Sequence, residues 1–471
     1  MTRLSVRSLV AAALLPALAP PPATAAPPAT PNQVLILVDD MRLEDMRAVP
    51  AAANRIGNQG ATLANAYAPF PLCGPARATL LKGQYAHNHG VICNKAPKGG
   101  WQTLMAAQNE TLFTWLDPTY RTGLFGKVIN GFRWTDRLAG VDEYAGALST
   151  YNYIYDRWGT WAEGKPNAAR TIPGYSTDTI AALSADFIER SAASDEPYFL
   201  YSSIVAPHSG TPADPDDPAG IPSPYVKPVY RDTYSGQRNP NPAFNEADVS
   251  DKPLRPAPLT AEQQAGQHEH YQQRLESLTS VDDAVNTIVN AVEASGESQD
   301  TVIWFISDNG MLLGEHRIRG GKIAPYEVSN HIPMLVRWPG HIPAGSVIRD
   351  EVSQVNYAPT VLDAANVAPG VPQDAHSILP QLTGGTSPHP PIVLEGADAS
   401  TGEWKYRGLL HDRWKYVKRT GGAEELYDLR NDPYELTNLA RVSAYAGKRT
   451  EMAALATRYR DCAGAACRAL P

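Results

Sequence analysis

The sequence predicts an α/β fold with a mostly parallel central sheet flanked by helices, followed by a smaller C-terminal α+β subdomain that carries an antiparallel sheet. Short apolar runs of strand length alternate with segments of helical periodicity, as in parallel sheets that are covered on both faces. Proline makes up 41 of the 471 residues, which disfavours a helical bundle or a coiled coil. Four cysteines are too few for a disulfide scaffold, so the fold must rest on an apolar core.

Local patterns place the main elements. Four apolar runs have the length of buried strands, namely 34–38, 198–204, 301–307 and 334–338. Helical spacing of apolar residues over 275–292 predicts a long helix, which a capping box at Thr260 opens, and a second helix is predicted over 178–190. The proline-rich segment 211–258 is interpreted either as a long ordered surface loop near the site or as a disordered excursion.

The alternation of buried apolar runs and helical segments ends near residue 371. Short runs with strand propensity at 406–410, 414–417 and 425–429 predict antiparallel strands joined by turns. We therefore divide the chain into a catalytic domain at 31–370 and a C-terminal α+β subdomain at 371–471.

The N-terminus indicates export. Residues 1–25 have the layout of a secretory signal peptide, with early arginines, a short apolar run and an Ala-Thr-Ala cleavage pattern. An anchor helix is the alternative, but two prolines interrupt the apolar run. No later segment is long and apolar enough to span a bilayer, so we expect a secreted or extracytoplasmic protein without a membrane span in the mature chain. In that compartment Cys462 and Cys467 are predicted to form a local disulfide, with Cys93 left unpaired.

The overall charge excludes one class of partner. Lys and Arg number 41 against 49 Asp and Glu, a net charge of −8, so no basic excess indicates a nucleic-acid groove. We expect no nucleic-acid partner.

Polar residues follow three predicted strands at their carboxyl ends: Asp39 and Asp40, His208, and Asp308 and Asn309. Ligand sites of open α/β sheets lie at these ends, so the five side chains are expected to converge. Three carboxylates and an amide are hard oxygen ligands that suit Ca²⁺ or Mg²⁺. For each acidic pair alone, a helix cap or a solvated turn is the commoner alternative.

Cys73 opens the segment Cys-Gly-Pro-Ala-Arg-Ala-Thr-Leu-Leu-Lys-Gly, in which a helix start and Arg77 both favour an anion. A buried structural cysteine is the commoner fate of a lone cysteine. The C-x-P-x-R pattern followed by Leu-Leu-x-Gly resembles the signature of the type I sulfatases, which are formylglycine-dependent members of the alkaline-phosphatase-like superfamily. The resemblance extends from 31–40 to 425–440 and is closest in kind to N-acetylglucosamine-6-sulfatase-like members. Ala76 stands where the family usually has Ser.

The resemblance implies a specific chemistry. A formylglycine-generating maturation enzyme would oxidise Cys73 to Cα-formylglycine, and a metal-bound hydroxyl of its hydrate would attack the sulfate ester. The second hydroxyl would then expel sulfate from a transient sulfo-enzyme. Cys73 thereby joins Asp39, Asp40, Asp308 and Asn309 as a ligand of Ca²⁺ or Mg²⁺. The expected substrate is a small-molecule or glycan sulfate ester.

Further roles come from the same resemblance. Arg77 would hold the formylglycine diol and the charge of the metal site. Lys127 and Lys322 match the sulfate-binding lysines, and His208 matches the general acid at the leaving-group oxygen.

Two residues are predicted to contact substrate. Asn130 stands where many sulfatases have a histidine and is able to hydrogen-bond the nucleophile, but it shuttles protons poorly. His316 follows the second metal pair and would line the pocket, although for His316, as for His87 and His89, packing is an equal alternative. The stretches around Asn130 and His316 favour carbohydrate 6-O-sulfates of the N-acetylglucosamine-6-sulfate kind, with aryl sulfates as the other class.

Two other functions remain open from the sequence. A phosphonate monoester hydrolase or phosphodiesterase of the same superfamily would share the fold, the metal and the formylglycine. A non-catalytic pseudo-enzyme would bind sulfated glycans without cleaving them, but the intact nucleophile, metal and lysine positions disfavour it.

Overall fold

The structure is a computed structural model that describes residues 30–154 and 157–471. The predicted signal peptide at 1–25 lies outside the described residues. Within those ranges, no helix combines the length and the apolar character needed to cross a membrane.

A ten-stranded sheet forms the centre of the larger part. Its strands are β1 (Asn32–Val38), β2 (Ala61–Tyr67), β3 (Arg121–Gly126), β4 (Glu143–Ala147), β5 (Arg157–Ala162), β6 (Ala168–Thr171), β7 (Tyr198–Ile204), β8 (Thr301–Ser307), β9 (Met334–Arg337) and β10 (Ser346–Ser353). They lie in the order β10-β2-β9-β8-β1-β7-β3-β4-β5-β6. Five pairings are parallel, including β1 with both β7 and β8, and four are antiparallel. The predicted fold class is confirmed.

The central strands are apolar throughout because both faces of the sheet are covered. In β1, Leu35 and Leu37 pack into the core on one face, whereas Val34, Ile36 and Val38 pack into the core on the other. All five side chains are fully buried. The alternating directions of a strand thus explain why a continuous apolar run predicts a central strand here.

Helices cover both faces. They are α1 (Pro50–Ala52), α2 (Cys73–Lys82), α3 (Ala86–His89), α4 (Gly100–Met105), α5 (Leu112–Leu116), α6 (Ser176–Ser191), α7 (Ala261–Ala294), α8 (Glu327–Asn330), α9 (Tyr357–Ala365), α10 (Leu379–Leu382), α11 (Ala446–Tyr459) and α12 (Ala465–Arg468). Helices α6 and α7 contribute to the core on the Val34 face, and α2 and α9 to the core on the Leu35 face. Thr260 and Gln263 form the predicted capping box of α7.

The C-terminal part contains a separate four-stranded antiparallel sheet. Its strands, in spatial order, are β11 (Ile392–Ala397), β12 (Trp404–His411), β13 (Trp414–Arg419) and β14 (Glu424–Asp428). Helix α11 packs on this sheet through Met452 and Tyr459. The sulfur atoms of Cys462 and Cys467 are bonded, and Cys93 is a buried free thiol.

The proline-rich segment 211–258 is an ordered surface loop that lies along α7. The Ser223 hydroxyl is 2.9 Å from Nδ1 of His270, and the Tyr234 backbone N–H donates to Glu276 at 3.2 Å. Apart from a 3₁₀ turn at Pro228–Tyr230 and isolated β-bridges at Thr211 and Phe244, the segment is irregular backbone. The contacts of Ser223 and Tyr234 hold the segment against α7.

Candidate active site

Four parallel strands end at one edge of the large sheet and deliver polar side chains there. Asp39 and Asp40 follow β1 directly, Lys127 follows β3, His208 lies four residues after the end of β7, and Asp308 follows β8. Because these strands run in the same direction, their carboxyl ends adjoin. The convergence expected from the sequence is therefore present in the structure.

A left-handed turn orients the two carboxylates after β1. Asp40 has φ +68°, a conformation that costs a non-glycine residue about 1–2 kcal/mol. The Asp40 N–H donates to Oδ1 of Asp308 at 3.0 Å, and the Asp40 carbonyl accepts from Nη2 of Arg274 at 2.5 Å. These bonds fix the turn and hold the carboxylates of Asp39 and Asp40 in a common space.

Cys73 lies opposite this turn, as the first residue of α2. Its Sγ is 3.3 Å from Oδ1 of Asp39, 3.9 Å from Oδ1 of Asp40 and 3.0 Å from Nζ of Lys322. The next residue is glycine because a Cβ there would lie 2.7 Å from Oδ1 of Asn94, which accepts the Gly74 N–H. The start of α2 thus places Cys73, 1% exposed, among charged groups.

Arg77, one helical turn later, is fully buried and joins the site to the sheet. Its Nε donates to Oδ2 of Asp308 at 2.9 Å, and its Nη1 donates to the Lys127 carbonyl and to the Ser203 hydroxyl, both at 2.7 Å. Its Nη2 lies 3.5 Å from Oδ2 of Asp39. The guanidinium therefore compensates the charge of two candidate metal ligands.

Two lysines and a histidine complete the cluster. The Lys127 ammonium pairs with Asp39, and the Lys322 ammonium pairs with Asp40. His208 Nε2 lies 3.7 Å from Oδ2 of Asp40, and its Nδ1 is 2.7 Å from the Ser209 carbonyl oxygen. A carbonyl only accepts, so Nδ1 carries a proton and Nε2 is the nitrogen that faces the cluster. The His208 side chain is 19% exposed and marks the solvent side of the site.

The buried charges shift one another's pKa values strongly. Burial, with the negative charges of Asp39 and Asp40, raises the pKa of Asp308 to about 7 in spite of Arg77. Burial alone would raise the pKa of Asp39 also, but Lys127, His208 and Arg77 hold it well below its usual range. Like charges this close oppose one another's ionisation, and of the three carboxyl groups only Asp308 has a raised pKa.

The thiol of Cys73 is affected in the same way. Burial and the charge of Asp39 raise its pKa to about 12, in spite of Lys127 and Lys322. A thiol in this position is protonated at neutral pH, and it is the thiolate that is nucleophilic.

The same carboxylates form a candidate metal site. Ligand atoms of Asp39, Asp40, Cys73 and Asp308 all lie within 4.8 Å of one another, and all four residues are buried. Asn309 donates its Nδ2 to Asp40 at 2.6 Å, while its Oδ1 is buried without a partner. Closely grouped buried carboxylates and an unpartnered amide oxygen are what a hard divalent cation would satisfy.

The family of this chain follows from its match to a protein-family model. The family model described as Sulfatase matches residues 31–367, most of the chain. The chain belongs to the sulfatase family. A second model, described as N-sulphoglucosamine sulphohydrolase, C-terminal, matches residues 314–460. The family assignment makes the protein a sulfuric ester hydrolase.

Curated relatives of this sulfatase include enzymes of more than one kind. An arylsulfatase of Volvox carteri is 28% identical over 93% of this chain and 75% of that protein. An extracellular sulfatase SULF-1 homolog of Drosophila melanogaster is 31% identical over 75% of this chain, but the match covers 31% of that protein. The N-acetylglucosamine-6-sulfatase of Homo sapiens is 29% identical over 76% of this chain and 65% of that protein. The chain thus matches only part of the last two relatives.

Solved structures share the fold. A protein crystallised with its substrate D-glucosamine-2-N,6-O-disulfate has a TM-score of 0.71 and 23% identity, covering 92% of this chain and 98% of that one. The phosphonate monoester hydrolase of Agrobacterium radiobacter has a TM-score of 0.63 and 22% identity, covering 92% and 96%. At these identities the likeness establishes the architecture.

Asn130 contacts the site of the sulfatase indirectly, through Tyr151, a residue that the sequence did not indicate. Its Nδ2 donates to the Tyr151 hydroxyl at 3.1 Å. The Tyr151 ring stacks on His208 with centroids 4.6 Å apart, and Nζ of Lys127 is 5.0 Å from the centroid of the same ring. Tyr151 therefore forms a side wall of the site, with Asn130 behind it.

His316 lies in a different environment from the predicted substrate pocket. It is 2% exposed, its Nδ1 is 2.6 Å from Oε2 of Glu246, and its ring centroid is 4.1 Å from that of Tyr326. Within the described part of the chain, none of its hydrogen-bond or ring partners belongs to the cluster around Cys73. This geometry favours packing over the substrate contact expected from the sequence.

His87 and His89 also have structural partners. His87 bonds Oε1 of Glu395 at 2.9 Å and the Cys462 carbonyl at 2.8 Å, which ties α3 to the disulfide loop. His89 is bonded to the Thr79 hydroxyl at 3.0 Å.

Two buried polar residues that position the site escaped sequence analysis. Gln354 donates its Nε2 to the carbonyls of Ser307 and Asp308, at 2.9 and 2.7 Å. Arg274 donates to the Asp40 carbonyl and, at 3.2 Å, to the Pro207 carbonyl next to His208. Arg274 is a charged residue immediately before the apolar stripe of α7, and this position was the signal in the sequence that could have indicated its role.

Proposed function

We propose that this sulfatase hydrolyses a carbohydrate 6-O-sulfate, or an aryl sulfate, at the cluster around Cys73. In this proposal Cys73 is converted to formylglycine, and Asp39, Asp40, Asp308 and Asn309 hold Ca²⁺ or Mg²⁺. The observation that carries the proposal is the convergence of these residues with two buried cations, Arg77 and Lys127, and the partly buried Lys322 at one edge of the sheet.

Formal charges indicate how the site would bind an anion. The guanidinium of Arg77 and the ammonium groups of Lys127 and Lys322 pair with Asp39, Asp40 and Asp308, so cations and carboxylates balance three to three. A divalent cation on the carboxylates would leave a positive excess. That excess favours an anionic ester and frees the two lysines to face its oxygens.

The residues fit the two groups that the family uses. The unpartnered Oδ1 of Asn309 and the crowded carboxylates match a hard cation, and Sγ of Cys73 lies within 4.8 Å of carboxylate oxygens of Asp39, Asp40 and Asp308. When bound, the cation would supply Lewis-acid activation, and formylglycine would supply the hydrated aldehyde whose hydroxyl is the nucleophile.

The chain's own side chains account for orientation and proton transfer. Lys322, whose Nζ is 3.0 Å from Sγ of Cys73, is placed to hold a sulfate oxygen next to the nucleophile position. Because Nδ1 of His208 donates to a carbonyl, Nε2 is the nitrogen that would give a proton to the leaving alkoxide, and it carries that proton only in the imidazolium. Burial lowers the pKa of His208, whereas the charges of Asp40 and Asp39 favour the imidazolium. Tyr151 holds the imidazole plane by stacking.

Export and maturation belong to the same proposal. A signal peptide at 1–25 would deliver the chain to an extracytoplasmic compartment, where the Cys462–Cys467 disulfide persists. Conversion of Cys73 would require a formylglycine-generating enzyme as a transient partner. Curated relatives include proteins named as extracellular sulfatases.

A phosphodiesterase or phosphonate monoester hydrolase is the second candidate, since a phosphonate monoester hydrolase shares the fold. The two are separated by comparing kcat/KM for 4-nitrophenyl sulfate and bis(4-nitrophenyl) phosphate on protein from a host that forms formylglycine. We expect the sulfate to be preferred by at least about tenfold, with turnover lost on chelation and restored by Ca²⁺ or Mg²⁺. A clear preference for the diester would replace the sulfatase assignment of the site.

A further inference from the structure

We infer that the C-terminal sheet positions Lys322, because Lys415 of β13 and Glu425 of β14 anchor the buried segment 324–327 that follows this lysine. Both are thus positioning residues, which act on the substrate through Lys322. This inference rests on the proposed function, in which Lys322 holds a sulfate oxygen.

The chain that precedes Lys322 restrains it weakly. Residues 319–321 are exposed, and Gly321 has φ +116° with open space around the position that a Cβ would take. The Gly321 carbonyl accepts from the Leu312 N–H at 2.8 Å, which ties the backbone down at that point. The remaining restraint on Lys322 therefore has to come from the residues that follow it.

The segment 324–327 is buried and bonded to the C-terminal part of the chain. Nζ of Lys415 donates to the Pro325 carbonyl at 2.9 Å and lies 2.7 Å from Oε1 of Glu327. The Glu327 N–H donates to Oε2 of Glu435, which follows β14, at 2.6 Å. Backbone and side chain of the segment are thus held together.

The charge of Lys415 makes this anchor strong. Its side chain is fully buried, and its Nζ lies 2.8 Å from Oε1 of Glu435 as well as close to Glu327. A buried ammonium is stable only when it is closely paired, so Lys415 has to keep both carboxylates beside it. Because Glu327 belongs to the anchored segment, this requirement fixes where the segment lies.

Tyr326 provides a second anchor. Its hydroxyl donates to Oε2 of Glu425 at 3.1 Å. Glu425 is fully buried and accepts from Nε of Arg419 and from the Tyr427 hydroxyl, both at 2.7 Å. Since these two donors belong to β13 and β14, the C-terminal sheet itself sets the position of Glu425 and hence of Tyr326.

The anchored segment continues directly into Lys322. The Ala324 N–H donates to the Lys322 carbonyl at 2.9 Å, and Nζ of Lys322 lies 3.0 Å from Sγ of Cys73. In the proposed function a cation on the carboxylates releases this ammonium from Asp40, so the anchored backbone is then what directs it towards the sulfate. A displacement of about 1 Å at such a group costs up to about 10²-fold in rate.

The test is a double-mutant cycle between Lys415 and Lys322 with 4-nitrophenyl sulfate as the substrate, followed at raised enzyme concentration where turnover is slow. Lys415→Met is expected to lower kcat/KM about tenfold and to raise KM, because the ester meets a displaced ammonium. In the Lys322→Ala protein the same change should lower kcat/KM by less than about twofold, since the group through which Lys415 acts is gone. Lys418→Met, a change at an exposed lysine of the same strand, should keep the wild-type kcat/KM.

Other results of the cycle would overturn the inference. An equal fall in both backgrounds, or a lower kcat with an unchanged KM, would show only a smaller folded fraction. A Lys415→Met protein with the wild-type kcat/KM would show that the anchor has no part in the reaction. In each case the proposed function would survive.

A Lys415→Met protein that does not fold leaves the decision to Tyr326→Phe, which removes one anchoring bond without leaving a buried charge unpaired. A fall in kcat/KM of about threefold that is absent in the Lys322→Ala background supports the inference, and an unchanged value or an equal fall in both backgrounds overturns it. A wild-type protein that cleaves no sulfate ester contradicts the proposed function and removes the inference with it.

Discussion

Replacing Cys73 with alanine is expected to lower kcat for sulfate ester hydrolysis by at least about 10⁴-fold while the fold is retained. The side chain lies at the centre of the cluster, with Asp39 and Lys322 within 3.3 and 3.0 Å of its sulfur. Its removal therefore deletes the atom from which the proposed nucleophile is made. Alanine suits the first turn of α2, and only a small, polar-walled void is created. Turnover of 4-nitrophenyl sulfate and the circular dichroism spectrum measure the two effects.

Cys93 provides the matched control for this change. It is the other buried free cysteine of the described chain, and its sulfur contacts the Lys95 carbonyl at 3.0 Å instead of the charged cluster. The Cys93→Ala protein should keep kcat within a few-fold of wild type. Substantial turnover by the Cys73→Ala protein would show that the nucleophile lies elsewhere.

Replacing Arg77 with methionine is expected to reduce the free energy of unfolding by about 3–5 kcal/mol and to abolish turnover. The guanidinium is fully buried, and it bonds Asp308, the Lys127 carbonyl and Ser203. Its loss leaves Asp308 without its counter-ion in a site of low dielectric, beside two further carboxylates. Urea unfolding followed by fluorescence, together with the sulfate assay, measures both effects.

Arg77→Lys separates charge from geometry. The lysine retains the positive charge, but a single ammonium cannot reach Asp308, the Lys127 carbonyl and Ser203 with the fork of the guanidinium. We therefore expect a smaller loss of stability than for methionine, together with a strong loss of activity. A methionine variant as stable as wild type would contradict the assigned compensation of buried charge.

The fold was predictable where burial on both faces leaves a continuous apolar run. This holds for β1, β7 and β8, which lie side by side at the centre of the sheet. The strands β4 to β6 at its edge mix polar and aromatic residues, so no such run marks them. Strand β11 was missed as well, although all of its residues are buried. Its sequence, Ile-Val-Leu-Glu-Gly-Ala, contains a glutamate, which interrupts the apolar run. The partner of that glutamate, His87, is distant in sequence and meets it only in the folded chain.

The candidate site likewise contains residues that the sequence indicated and residues that it did not. Residues at strand ends, such as Asp39 and Asp308, were found because topology brings strand ends together. Tyr151 and Gln354 act through contacts with segments distant in sequence, which no local pattern encodes. For His316 the sequence left a pocket contact and a packing role equally open, and a left-handed turn with φ +50° and the distant Glu246 place it in a buried pair.

The proposed chemistry depends most on the chemical state of residue 73. Mass spectrometry of the tryptic peptide that contains Cys73, taken from protein secreted by its native host, measures that state directly. In the protein that cleaves sulfate esters we expect the mass of formylglycine at this position, and we expect its aldehyde to react with a hydrazine probe. An unmodified thiol in active, secreted protein would contradict the proposed chemistry.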